Sequence, residues 1–107
     1  MSRVSTHILD ASVGRPAPGV TVELSTDSAV IASGVTDADG RVAELWQGVL
    51  EAGTYRIRFA VGEYFRQLGR ETFYPSVLIE FSVVDPEQHY HVPLLLSPFG
   101  YSTYRGS

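Results

Sequence analysis

Three histidines, His7, His89 and His91, are the first candidates for chemistry in this chain. Imidazole is the one side chain whose unperturbed pKa lies near neutrality, so each can take and return a proton at physiological pH. His89 and His91 are two positions apart in HYHVPLLLS, and side chains alternate along a strand, so both fall on one face, away from Tyr90, Val92, Leu94 and Leu96. His7 shares a face with Ser5 and Leu9, whereas Val4, Thr6 and Ile8 form the apolar face, so His7 is expected to project out of the core. Taken singly, each imidazole is a solvated or hydrogen-bonded surface residue. Taken together, His89 and His91 can converge on one ion, with His7 completing a three-ligand zinc site that keeps an open position. Arg41 follows the Asp39-Gly40 turn, where a guanidinium is either a surface charge or a bidentate clamp for an anionic oxygen. The chain stops at Tyr104-Arg105-Gly106-Ser107 directly after a β-compatible segment. A tail with a phenol, a guanidinium and a hydroxyl can line a polar pocket if packing ties it down, although chain ends are usually frayed.

The elements that must position these groups read as strands. Short runs rich in Val, Ile, Thr and aromatics alternate with clusters of Gly, Pro, Asp and Ser. Arg3 to Asp10 is the first strand, the prolines of Gly14 to Gly19 (GRPAPG) dictate a loop, and Val20 to Thr26 is a second strand. AVIASGVT and RVAELW flank TDADG, a turn because Gly40 accepts positive φ without steric cost. In TYRIRFAV, Tyr55, Ile57, Phe59 and Val61 face one way and Arg56 and Arg58 the other; PSVLIEFSVV repeats the pattern with Val77, Ile79, Phe81 and Val83. Between them, Gly62 to Gly69 (GEYFRQLG) spaces Tyr64, Phe65 and Leu68 for one short helix and ends in a glycine suited to the C′ position. Pro93 cannot donate to a ladder, which predicts an edge, a bulge or an exposed position for its strand. About eight strands, one helix and no βαβ alternation predict an all-β, two-sheet sandwich.

With 107 residues, positions 1–107 are expected to form a single domain, with a core modest enough for oligomerisation to matter. The absence of cysteine excludes a disulfide framework and a thiolate zinc site. A formal charge of −4 argues against nucleic acid as a partner, because phosphate-backbone binding needs an excess of Lys and Arg on one face. The opening MSRVSTHILDAS carries no long apolar run, so the expectation is a cytoplasmic protein with no membrane partner.

STHILDASVGRPAPGV, TDADGR, GEYFRQLGRETFYP and HYHVPLLLSPFGYSTYRGS together resemble, nearly end to end, the 5-hydroxyisourate hydrolases, or transthyretin-related proteins. The terminal YRGS is the most telling of these segments. The resemblance implies a transthyretin-like β-sandwich of two four-stranded antiparallel sheets with one short helix, assembled as a homotetramer, a dimer of dimers with active sites between the dimers. It implies hydrolysis of a small-molecule substrate, 5-hydroxyisourate, with no cofactor and no bound metal. The residues matching the family's functional positions are His7, Arg41, His91 and Tyr104 to Ser107. Of these, His7, Arg41, His91 and Ser107 carry the catalytic expectation, and His7, Arg41, Tyr104 and Arg105 that of substrate binding. A histidine, His91 by preference with His7 assisting, is expected to activate water; which of the two is the base stays open, and His89 is given a supporting part.

The main alternative is a transthyretin-like carrier of a small aromatic ligand, since one fold serves many functions. Two histidines, an arginine and the YRGS tail weigh against it, because a buried unpaired polar group costs about 1 to 3 kcal/mol. A secreted immunoglobulin-like module and a zinc-dependent hydrolase are the remaining readings.

Overall fold

The computed structural model describes residues 1–107 as two β-sheets packed face to face with one helix at an end. The first sheet holds β1 (Ser2–Asp10), β2 (Arg15–Pro16), β5 (Arg41–Gly48), β8 (His89–Ser97) and β9 (Gly100–Thr103). The second is ordered β4 (Val30–Val35), β3 (Thr21–Ser25), β6 (Gly53–Phe59) and β7 (Val77–Val83). Val4, Ile8, Leu94 and Leu96 from the first sheet meet Val22, Leu24, Ile57 and Phe59 from the second, all buried in one core. The alternation expected in β6 and β7 is realised: Tyr55, Ile57, Phe59, Val77, Ile79 and Val83 are buried. Arg56 turns outward to pair with Asp27 at 2.7 Å and Glu80 at 3.0 Å.

Helix α1 (Val61–Gln67) begins one residue before the expected glycine and buries Val61, Tyr64 and Phe65, the i, i+3, i+4 stripe of an amphipathic turn. Its end is closed by Gly69 N–H donating to the Arg66 carbonyl and Arg70 N–H to the Phe65 carbonyl. A buried carboxylate ties this helix to β1. Asp10 accepts hydrogen bonds from Tyr64 Oη at 2.8 Å, Arg70 Nη1 at 3.0 Å and the Ser12 hydroxyl. Burial pushes the Asp10 carboxyl up, but these hydrogen bonds and the Arg70 charge outweigh it and hold it below the usual carboxylate range. Burial, followed by the Asp10 hydrogen bond and charge, raises the Tyr64 phenol to about 12.

Three details of the first sheet differ from expectation. The sheet is not wholly antiparallel, because β1 runs parallel to β8. Parallel neighbours need a long crossover, and the chain supplies one by building the entire second sheet between them. Within the expected loop, Arg15–Pro16 adds a two-residue fifth strand against Leu9 and Asp10. Its short length suits a sheet edge, where proline's missing N–H is tolerated. Pro93, conversely, is buried and lies on an internal strand between β1 and β9. Its missing N–H leaves a gap in the ladder: β8 pairs with β9 at Leu94–Thr103, loses two residues, and resumes at the isolated His91–Gly106 bridge. Thr103 Oγ1 donates to the Pro93 carbonyl at 2.7 Å across this gap. Tyr104 and Arg105 are thereby released from the sheet while Gly106 returns to it.

No helix is long and apolar enough to cross a membrane.

Candidate functional site

Register brings the sequence candidates together on the outer face of the first sheet. Ser5 lies beside His91 and His7 beside Pro93 in the parallel β1–β8 pair, and His7 faces Arg41 in the antiparallel β1–β5 pair. Arg41 owes its place to the preceding turn. The Asp37 carboxylate accepts from Asp39 N–H at 2.9 Å and Arg41 N–H at 3.0 Å, and Gly40 adopts φ 73° with its carbonyl accepting from Ile8 N–H at 2.7 Å. A Cβ at Gly40 would stand 2.4 Å from the Ile8 carbonyl oxygen, so glycine is required for this turn to dock on β1.

The Ser5 hydroxyl bridges the two neighbouring imidazoles, 2.7 Å from His89 Nε2 and 2.7 Å from His91 Nδ1. Arg3 Nη2 lies 3.3 Å from His89 Nδ1. Beside these groups is a depression of about 230 Å³ whose lining includes Arg3, Ser5, Arg41, Glu44, His89 and His91. Desolvation lowers the His91 pKa, followed by the positive fields of His89, Arg41 and His7, which together outweigh the opposing effect of the nearby Ser5 backbone. His89 is lowered as well, by desolvation and then by Arg3. Both imidazoles are therefore biased toward the neutral form, the one that can accept a proton or present a single N–H.

The tail approaches His91 from the other side. Gly106 N–H donates to the His91 carbonyl at 2.8 Å, and a Cβ on Gly106 would stand 2.4 Å from His91 Cδ2. Only glycine lets the chain pass this close to the ring. Tyr104 and Arg105 line a separate groove of about 320 Å³ together with Phe81, Tyr90 and His91. Arg105 stacks 4.8 Å above the Tyr90 ring and donates to Gln88 Oε1 at 2.8 Å. His91 thus borders both hollows, Arg41 lines the first, and Tyr104 and Arg105 line the second. His7 sits beside Arg41 by register, half-buried and outside both linings, and Ser107 is exposed at the chain end.

Sequence reasoning did not single out Arg3, Ser5 or Asp37. The Asp-x-x-Gly spacing of Asp37 and Gly40 carries a readable turn signal, because an Asp side chain caps such a turn. Nothing local identifies Ser5 or Arg3, whose partners come from a strand more than eighty positions away. Among His, Asp and Glu side chains, no group of three has the geometry to hold a metal ion.

A sandwich with one short helix and a histidine–arginine cluster on its outer face defines a protein of the transthyretin-like class. The chain belongs to the HIUase/Transthyretin family, whose model matches residues 4–106. It is 47% identical to the 5-hydroxyisourate hydrolase of Salmonella typhimurium, over 97% of this chain and 80% of that protein. The structure of the Klebsiella pneumoniae 5-hydroxyisourate hydrolase superposes with a TM-score of 0.92 at 45% identity, covering 100% of this chain and 94% of that one. Sea bream transthyretin in complex with thyroxine shares the fold at a TM-score of 0.90 and 35% identity, covering 97% of this chain and 94% of that one.

Proposed function

We infer that this chain is a 5-hydroxyisourate hydrolase, converting that cyclic amide to 2-oxo-4-hydroxy-4-carboxy-5-ureidoimidazoline in urate catabolism. The observation that carries the reading is the convergence of His91, His89, Ser5 and Arg41 on one depression, in a chain nearly half identical to hydrolases of that name. One imidazole of the pair His7 and His91 removes a proton from water as its oxygen attacks the six-ring amide carbonyl, and the other assists. The C–N bond breaks, the proton passes to the departing nitrogen, and the new carboxylate stays on the imidazoline. Arg41, whose guanidinium makes no ion pair within the chain, stabilises charge on the attacked oxygen and holds substrate oxygens. Tyr104, Arg105 and Ser107 supply binding and orienting groups from the tail.

The chain acts as a homotetramer, a dimer of dimers with its sites between the dimers. Edge geometry supports this. β4 and β5 lie together along one side of the sandwich, while β7 and β9 are edge strands on the other, carrying exposed Leu78 and Tyr101. Such strands offer unpaired backbone groups to another chain. A second copy across the histidine face would enclose a depression that a lone subunit leaves shallow.

The test is spectrophotometric. 5-Hydroxyisourate is generated in place with urate oxidase and its absorbance decay is followed with and without this protein in EDTA. Marked acceleration is expected. Decay at the spontaneous rate in EDTA that accelerates once zinc is added in excess would replace the mechanism with a metal-dependent one, and decay that nothing accelerates would favour the carrier whose fold the sea bream protein shares.

A further inference from the structure

We infer that Arg3, His89 and Ser5 form a hydrogen-bond relay of fixed direction that holds His91 as its Nε2–H tautomer, so that His91 meets the substrate as a hydrogen-bond donor. The inference rests on the hydrolase reading for its consequence, though not for its geometry. A guanidinium has donors and no acceptor. Arg3 Nη2, 3.3 Å from His89 Nδ1, therefore donates, and Nδ1 is the unprotonated nitrogen of that ring. A neutral imidazole with a bare Nδ1 carries its proton on Nε2, so His89 donates to the Ser5 hydroxyl across 2.7 Å. The Ser5 hydroxyl owns one proton, and with an incoming donor on its oxygen it directs that proton to His91 Nδ1, also at 2.7 Å. His91 Nδ1 is thus an acceptor and Nε2 carries the hydrogen. Without Arg3 the chain of bonds runs equally well in reverse, and His91 would then show a bare Nε2.

Ser5 is almost completely buried and Gly106 lies against the Cδ2 edge of the His91 ring, so the ring is clamped on two sides. Nε2 makes no hydrogen bond within the chain. The groups around the ring favour neutrality: Arg3 and His7 on β1, Arg41 on β5 and His89 on β8 offer no negative charge. Glu44, the one carboxylate lining the depression, pairs with none of them. A neutral imidazole that presents N–H polarises a carbonyl and steadies the oxyanion without giving up its proton. The water proton then goes to His7, the other imidazole of the pair. Arg3, His89 and Ser5 are positioning residues acting through His91.

The test is nitrogen NMR on histidine-labelled protein at neutral pH, read beside turnover. Wild-type His91 should show a protonated Nε2 and a bare, far-downfield Nδ1. R3M, on an exposed side chain, should shift His91 toward the opposite tautomer and lower kcat about tenfold with little change in KM, and R3K should restore both. S5A should abolish the preference and lower kcat by about ten- to a hundredfold. Wild-type His91 with a protonated Nδ1, or a tautomer indifferent to R3M and S5A, would overturn the relay. Absence of turnover in wild type would defeat the hydrolase reading while leaving the NMR result to judge the relay separately.

Discussion

Strand β1 carries two polar clusters, and the two differ in what they leave unpaired. At its C-terminal end, Asp10 is fully buried and its carboxylate is saturated by Ser12, Tyr64 and Arg70. Along its middle, Ser5 and His7 face His91, His89 and Arg41, where His91 Nε2 and the Arg41 guanidinium have no partner in the chain. Both clusters contain shifted pKa values, so a shifted pKa alone does not mark a reactive site. Saturation distinguishes them. A closed network spends its hydrogen bonds on holding helix to sheet; an open one keeps donors and acceptors for a ligand.

Breaking the open cluster should have the largest effect. His91→Ala should lower turnover by about 10²- to 10⁴-fold, measured by 5-hydroxyisourate decay, with thermal stability nearly unchanged because the ring is only half-buried. Gly106→Ala sharpens the point without removing any functional group. Its methyl would displace the His91 ring, and a shift of this kind should lower kcat by about a hundredfold. Asp10→Asn tests the closed cluster: loss of the charged hydrogen bonds should cost about 2 kcal/mol of stability, near 10 °C in Tm, with turnover per folded molecule kept.

The smallest effects concern pH. His91 is lowered in the folded protein, so its NMR titration should lie below the ordinary value of about 6.5, and Arg41→Gln should move it upward by removing a positive neighbour. The unfolded imidazole binds a proton that the folded one resists, so His91's contribution to stability is complete above about pH 6.5 and lost as pH falls through its folded pKa. Asp10 has the same sign at lower pH. Its contribution is complete above the unfolded value of about 3.9 and declines as pH falls through its depressed folded value.

Much of this contrast is legible in the sequence. Alternation in TYRIRFAV and PSVLIEFSVV placed the core faces, and strand parity turned His7, His89 and His91 outward, because both follow from periods of two within one segment. Pairing between distant segments was not legible. The parallel β1–β8 register decides that Ser5 sits between the imidazoles of His89 and His91, and no local pattern encodes it. Pro93 misled for a related reason: its missing N–H marks a gap in a ladder, and whether that gap lies at an edge or inside a sheet depends on which strand comes to lie alongside. The Asp10 clamp was hidden because its partners, Tyr64 and Arg70, come from the helix and the segment following it.

The most direct measurement takes turnover and Tm together for His91→Ala and Asp10→Asn. The account predicts a crossed result, with His91→Ala losing turnover at nearly wild-type Tm and Asp10→Asn losing Tm at nearly wild-type turnover per folded molecule. Full turnover in His91→Ala, or turnover lost in Asp10→Asn while the protein remains folded, would contradict it.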